Sequence, residues 1–219
     1  MKKLFTLLAL TIAFSMNAQT NTNTGIESLN SNTSGTSNSA FGYRSLKSNT
    51  SGKRITAVGA ESLLNNTANN ISAFGYRSLR SNTSGTNNSA FGYLSLESNT
   101  EGKDNSAFGD LALEDNSTGD RNTAVGYQTL KNNLTGASNT AVGSRSMETN
   151  NSSYNTAVGT LALAGTNWGM SITNANNNTA VGYQALLKNE GSSNVATGAM
   201  TLQLNTSGDY NVATGYYAL

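Results

Sequence analysis

A glycine returns every 16 or 17 residues along this chain, at Gly25, Gly42, Gly59, Gly75, Gly92, Gly109, Gly126, Gly143, Gly159, Gly182, Gly198 and Gly215, with one longer interval of 23. A fixed period over twelve copies rules out a disordered polar linker, because a disordered chain has no use for a register. The columns around the glycine carry the chemistry. Ala stands two before it in eleven copies, Phe or Val one before it in nine, and Leu four after it in eleven, with Met147 the twelfth. Asn stands seven after it in most copies, as at Asn32, Asn49, Asn82 and Asn116, and a turn glycine such as Gly52 or Gly85 often follows.

Seventeen residues are too few for a helical hairpin, and the columns have no 3.6-residue rhythm. They suit one coil of a solenoid: a short strand N-T-A-V-G-Y, a corner, a second short strand carrying the Leu, and an N-x-[ST]-G turn. The fold class expected is all-β, a parallel β-solenoid (β-roll) of about twelve coils. One coil cannot bury its apolar face alone, so stacking must supply the core. Neighbouring coils then lie about 4.8 Å apart, and identical side chains form ladders along the stack. An Asn ladder can satisfy turn backbone groups from end to end. Charge follows the same logic. Arg44, Glu61 and Arg77 succeed one another in one column, and Arg80, Glu97, Glu114, Lys131 and Glu148 in another, which places mostly opposite signs one coil apart.

Alternation along the strand puts the Ser/Thr, Phe/Val and Tyr columns on one face and the Asn, Ala and Gly columns on the other. The expectation is that Phe/Val points inward beside Leu. That leaves the small Ala–Gly face outside, where a second chain can approach closely. In the opposite phase a row of Phe and Val faces water, which also demands a cover. Either way, side-by-side homo-oligomerisation is expected.

Lys2 and Lys3 precede an apolar run from Leu4 to Met16, and Ala18 offers a cleavage point before Gln19. Residues 1–18 therefore read as a secretory signal peptide and 19–219 as the solenoid domain, with extracellular localisation, secreted or at the cell surface. No later stretch is apolar enough for a transmembrane anchor. Of the 13 basic residues two lie in the leader, leaving 11 against 12 acidic ones, which is no electrostatic footprint for nucleic acid.

The motif N-[ST]-A-[FV]-G-Y-x-[SA]-L resembles the head repeats of trimeric autotransporter adhesins (YadA-like heads) and related repeats of fibre-like surface and phage-tail proteins. The resemblance covers residues 21–219. It implies a parallel β-roll, three chains side by side, and an adhesive or spacer role at a cell surface.

The chain has no His and no Cys, so the usual triads, thiol nucleophiles and His-based metal sites cannot form. The reading is a non-enzymatic protein without a cofactor. The densest acidic stretch, Glu101, Asp104, Asp110, Glu114, Asp115 and Asp120, reads as solvated turns and edges, with an irregular cation or catalytic site as the lesser reading. The Tyr column is packing beside Phe/Val before it is a set of sugar-stacking platforms. The interval between Gly159 and Gly182 inserts about six residues near 164–178 and holds Trp168, the chain's one Trp, with Met170 and Ile172. Insertions in solenoids become loops, so these three are the candidate ligand contacts for a surface or glycan ligand. The function expected is a structural or adhesive repeat protein, with a carbohydrate-binding or carbohydrate-active solenoid as the alternative.

Overall fold

The computed structural model describes residues 20–165 and 174–219. Twelve short strands form one sheet in chain order, each parallel to its neighbours, and together they make the β-solenoid. The strands run from β1 (Thr22–Thr24), β2 (Asn38–Phe41), β3 (Ile55–Val58) and β4 (Ile71–Phe74) through β5 (Ser89–Phe91), β6 (Ser106–Phe108), β7 (Thr123–Val125) and β8 (Thr140–Val142). They continue with β9 (Thr156–Val158), β10 (Thr179–Val181), β11 (Val195–Thr197) and β12 (Val212–Thr214). Equivalent residues pair in register throughout: Ala73 lies beside Ala90, Ala90 beside Ala107, and Phe91 beside Phe108. The 23-residue interval leaves the register intact, with Ala157 beside Ala180.

The expected strand phase is reversed. Ala40, Ala57, Ala73, Ala90, Ala107, Ala124 and Ala141 are fully buried, while Phe41, Phe108, Val125 and Val142 are exposed. The cause lies across the coil. The Leu column, from Leu46 to Leu186, is fully buried and points at the strand from the opposite wall. With Leu occupying that narrow interior, the facing position takes a methyl group and no more. The close-packed core leaves no place for a bulky side chain directly opposite Leu.

The second expected strand is absent as well. After each repeat glycine the chain turns, and the residues two and four beyond it hold φ near +55°, as at Arg44 (φ 54), Leu46 (φ 52), Arg77 (φ 55) and Leu79 (φ 51). Left-handed conformations are unfavourable for residues with a Cβ. Here they are offset by aiming successive backbone groups at different coils. The Arg44 N–H donates to Ile26 O on the preceding coil at 2.9 Å, and the Leu46 N–H donates to Ser62 O on the following coil at 2.9 Å. The stack is hydrogen-bonded on this side too, without strands.

At the corner between strand and turn only glycine fits. Gly42 has φ +130, and a Cβ there would lie 2.7 Å from the carbonyl carbon and oxygen of Gly59 in the next coil. The same approach recurs coil after coil, which is why the column is invariant along this chain.

Polar groups inside the coil are satisfied by two asparagine ladders. In the expected one, Asn99 Nδ2 donates to Asn82 Oδ1 and Asn116 Nδ2 to Asn99 Oδ1, each at 2.7 Å, and each amide also donates to its own turn carbonyl, Gly102 O or Gly119 O at 3.1 Å. The N-x-[ST] tripeptides thus keep their amides within the stack. The second ladder runs through the Asn that opens the strand motif, which the inverted phase had placed outside. The Asn105 N–H donates to Asn88 Oδ1 and the Asn122 N–H to Asn105 Oδ1, both at 2.9 Å, while Asn105 Nδ2 donates to Gly119 O at 2.8 Å. Ile55 and Ile71 interrupt this second ladder in two adjacent coils.

Candidate functional site

The surface that the repeat builds most regularly is the outward face of the sheet. Ser or Thr, then Phe or Val, then Tyr project from it in three columns, and all three sit on backbone fixed by the buried Asn and Ala between them. Phe108 is 42% exposed and Val142 36%, and Tyr43, Tyr93 and Tyr127 are also exposed, so the Phe/Val column is an unbroken apolar row from β2 to β10, while Asp110 and Ser144 interrupt the Tyr column. Bands of this kind mark contact surfaces in proteins that otherwise cover their apolar area.

Within the band the rings stack on one another. Phe74 and Phe91 have centroids 4.7 Å apart, Phe91 and Phe108 5.0 Å, both pairs nearly parallel at 9°. Tyr76 and Tyr93 stack at 5.6 Å and 12°. Arg77 lies over the Tyr76 ring at 4.9 Å, and Arg44 over Tyr43 at 4.8 Å. A sugar platform needs an open ring face, and in Tyr76 and Tyr93 the facing sides are taken by each other.

Beside the Tyr column runs a stripe of ion pairs. Glu27 receives Arg44 Nε at 2.7 Å and Lys47 Nζ at 2.8 Å, and Glu61 receives Arg77 Nε at 2.9 Å and Arg80 Nε at 3.1 Å. One carboxylate thus bridges two cations of the next coil, an arrangement that column-by-column reading did not anticipate. Lys131 Nζ lies 3.3 Å from Glu114, and Arg145 Nε donates to Glu148 at 2.7 Å within a single coil. Exposed pairs of this type contribute little individually.

The acidic stretch does not converge. Asp104 Oδ1 accepts from Asn87 Nδ2 at 2.9 Å, Asp110 Oδ1 from the Tyr93 N–H at 2.9 Å, and Asp120 Oδ1 from the Lys103 N–H at 2.7 Å. Each carboxylate ties one coil to the next, Asp104 and Asp120 at the turn before the strand and Asp110 just after the repeat glycine. Among the described residues no group of three acidic side chains is placed to hold a metal ion.

Burial pushes the Glu114 carboxyl up, with Asp115 and Glu97 adding to the shift and Lys131 opposing it; burial likewise raises Asp115 against Lys131. A carboxyl whose pKa rises on folding binds more protons in the folded chain, so it adds stability as pH falls into the carboxylate range. Glu61 works the other way. Burial alone would raise it, but the hydrogen bonds from Arg77 and Arg80 outweigh burial and lower it, so its contribution disappears in acid. Asp115→Asn should therefore raise the Tm at pH 7, and the gain should shrink towards zero as pH falls below the usual aspartate range. A gain that is the same at pH 7 and pH 3 would contradict this account.

Trp168, Met170 and Ile172 lie outside the described residues, as do residues 1–18, where a leader is expected. No family model, curated protein or solved structure matches this chain.

Proposed function

We propose that this chain is an exported structural or adhesive repeat protein, secreted or held at a cell surface, that associates side by side with copies of itself to form a stiff spacer. The observation that supports this most is the apolar outward face of the sheet, with Phe41, Phe108, Val125, Val142 and Val158 exposed in one band. A face so regular has one natural complement, a surface with the same repeat. The association surface proposed is accordingly the Ser/Thr–Phe/Val–Tyr face. The Ala column, being interior, has no part in it.

The resemblance to adhesin heads supports the spacer and adhesive role, and the basic, apolar start of the chain supports export. Carbohydrate binding remains the second reading, favoured by the exposed tyrosines and the Ser/Thr column.

Sedimentation at micromolar concentration tests the self-association reading. The wild-type chain should sediment as an oligomer, and Phe91→Glu should dissociate it while the circular dichroism of the β-fold stays unchanged. A wild-type monomer would refute it. N-terminal sequencing of the exported protein should find a start close to Gln19, and a retained Met1 on exported protein would refute the leader.

A further inference from the structure

A coil of 16 residues does not build the same turn as a coil of 17. In the longer coil the ladder Asn donates to the carbonyl three residues on, as Asn99 does to Gly102 O and Asn133 to Gly136 O. The same amide nitrogen also donates to the Asn of the preceding coil, Asn82 and Asn116 in these two cases. The shorter coil loses its residue between the Asn and the turn carbonyl. Asn66 therefore donates to Ala68 O and Asn189 to Gly191 O, only two residues on. Turned to that carbonyl, the Asn66 amide no longer ties to the coil before it. Asn49 Oδ1 accepts from its own Gly52 N–H at 3.0 Å instead, and the ladder restarts where Asn82 Nδ2 donates to Asn66 Oδ1 at 2.7 Å.

The coil from Gly143 to Gly159 is also short, and there the break is not repaired. Asn150 Oδ1 accepts from the Ser152 N–H at 2.8 Å, again two residues on. Asn150 Nδ2 and Asn133 Oδ1 would be donor and acceptor in an unbroken ladder. Both lack a hydrogen-bond partner among the described residues, although both residues are fully buried. The Gly136 N–H does not make the repair that Gly52 makes. Asn151 Oδ1 accepts it at 3.1 Å, together with the N–H groups of Leu134 and Thr135 at 2.9 and 2.7 Å. A buried donor and acceptor left unpaired weaken the level that contains them. The same coil carries Met147, the one departure from the Leu column, whose unbranched side chain packs less specifically.

We infer that the stack has a preset hinge between the coils of β7 and β8, which opens on the turn side at Asn133 and Asn150 before any global unfolding. The strand side of this level stays tied, since the Asn139 N–H donates to Asn122 Oδ1 at 3.0 Å and Ala124 pairs with Ala141. Seven strands lie on one side of the hinge and five on the other, each more than the about three repeats that a stack needs for a core of its own. The coils of β1–β7 and of β8–β12 thus move as two units, each folded while the level between them gives way.

Native-state hydrogen exchange of the full chain tests this. The Leu130 and Asn132 N–H groups cross the hinge to Ser146 O at 3.0 Å and Glu148 O at 2.9 Å. One coil earlier, Leu113 and Asp115 make the same bonds to Thr129 O and Lys131 O at 3.0 and 2.9 Å. Corrected for intrinsic rates, protection should fall at least about tenfold in one step from Leu113 and Asp115 to Leu130 and Asn132. Fraying from the C-terminal end would give a gradual slope instead. Equal protection at the two levels, or a slope without a step, would overturn the inference.

Inserting one Gly between Ser152 and Ser153 restores the Asn-x-x-Gly spacing of Asn133 and Gly136. It should bring Asn150 Nδ2 onto Asn133 Oδ1 and remove the step. Insertions ordinarily loosen a packed array, so a gain in protection at Leu130 and Asn132 is specific to the ladder. A folded insertion variant that keeps the step would equally overturn the inference, and if the variant does not fold the wild-type profile decides alone.

Discussion

Leu96→Asp should abolish the cooperative fold over several coils, with a loss of stability well beyond the 2–5 kcal/mol typical of a buried Leu→Ala change. Leu96 is fully buried between Leu79 and Leu113 in a ladder that has no polar partner to offer a carboxylate. Burying a charge without a partner costs several kcal/mol or forces the group to neutralise. The architecture then spreads the damage. Each coil contacts only its neighbours, so a break in the middle leaves two shorter arrays, each with a newly opened end. The Leu96 N–H donates to Ala112 O at 3.0 Å, and the Asn99 N–H to Leu96 O at 3.1 Å, so displacing Leu96 also loosens the adjoining ladder. The control is Leu94→Glu, two residues earlier and in the column that already carries Glu61 and Arg77. It should change the Tm by only a degree or two. Thermal unfolding followed by circular dichroism distinguishes the two, and an unchanged midpoint for Leu96→Asp would refute the core assignment.

Asn116→Leu should cost about 3–5 kcal/mol, although it exchanges a polar residue for an apolar one inside a protein core. The amide holds three neighbours at once. Its Nδ2 donates to Asn99 Oδ1 at 2.7 Å and Gly119 O at 3.1 Å, and its Oδ1 accepts from Asn133 Nδ2 at 2.9 Å. Removing it leaves those groups buried with fewer partners, at about 1–3 kcal/mol for each group left unsatisfied. A branched side chain also does not fill the flat space between stacked amides. By contrast Asn65, exposed and next in sequence to the buried Asn66, should tolerate Ser with almost no change. Denaturant titration of both variants checks the pair, and equal stabilities would mean that the ladder contributes nothing.

These two residues also mark how far the sequence could be read. The twelve-fold period, the parallel stacking, the Leu ladder and the first Asn ladder all follow from the sequence, because identical residues at a fixed interval can satisfy one another only if they stack in register. Gly42 and its equivalents were recognisable as a column for the same reason. Strand phase was not legible. Alternation divides Ser39, Phe41 and Tyr43 from Asn38, Ala40 and Gly42, but the division is symmetric and does not say which set is inside. Hydrophobicity favoured Phe. The tertiary structure chose Ala, because the Leu column fills the space opposite that position, while the other inward position of the strand takes the buried Asn column with Ile55 and Ile71.

The same choice set the roles of other residues. It turned Asn105 from a surface residue into a ladder member, and it placed the Phe74–Phe91–Phe108 stack on the outward face of the sheet. The missing second strand has a related origin. Positive φ at residues such as Leu46 and Leu79 has no local signal in the sequence, since Leu has no preference for that conformation. It becomes favourable only when the coils above and below supply acceptors for its backbone groups. The sequence by itself determined what repeats and at what interval. Which side of each strand is buried was decided only by what faces it across the closed coil, where the Leu column already fills the space opposite Ala.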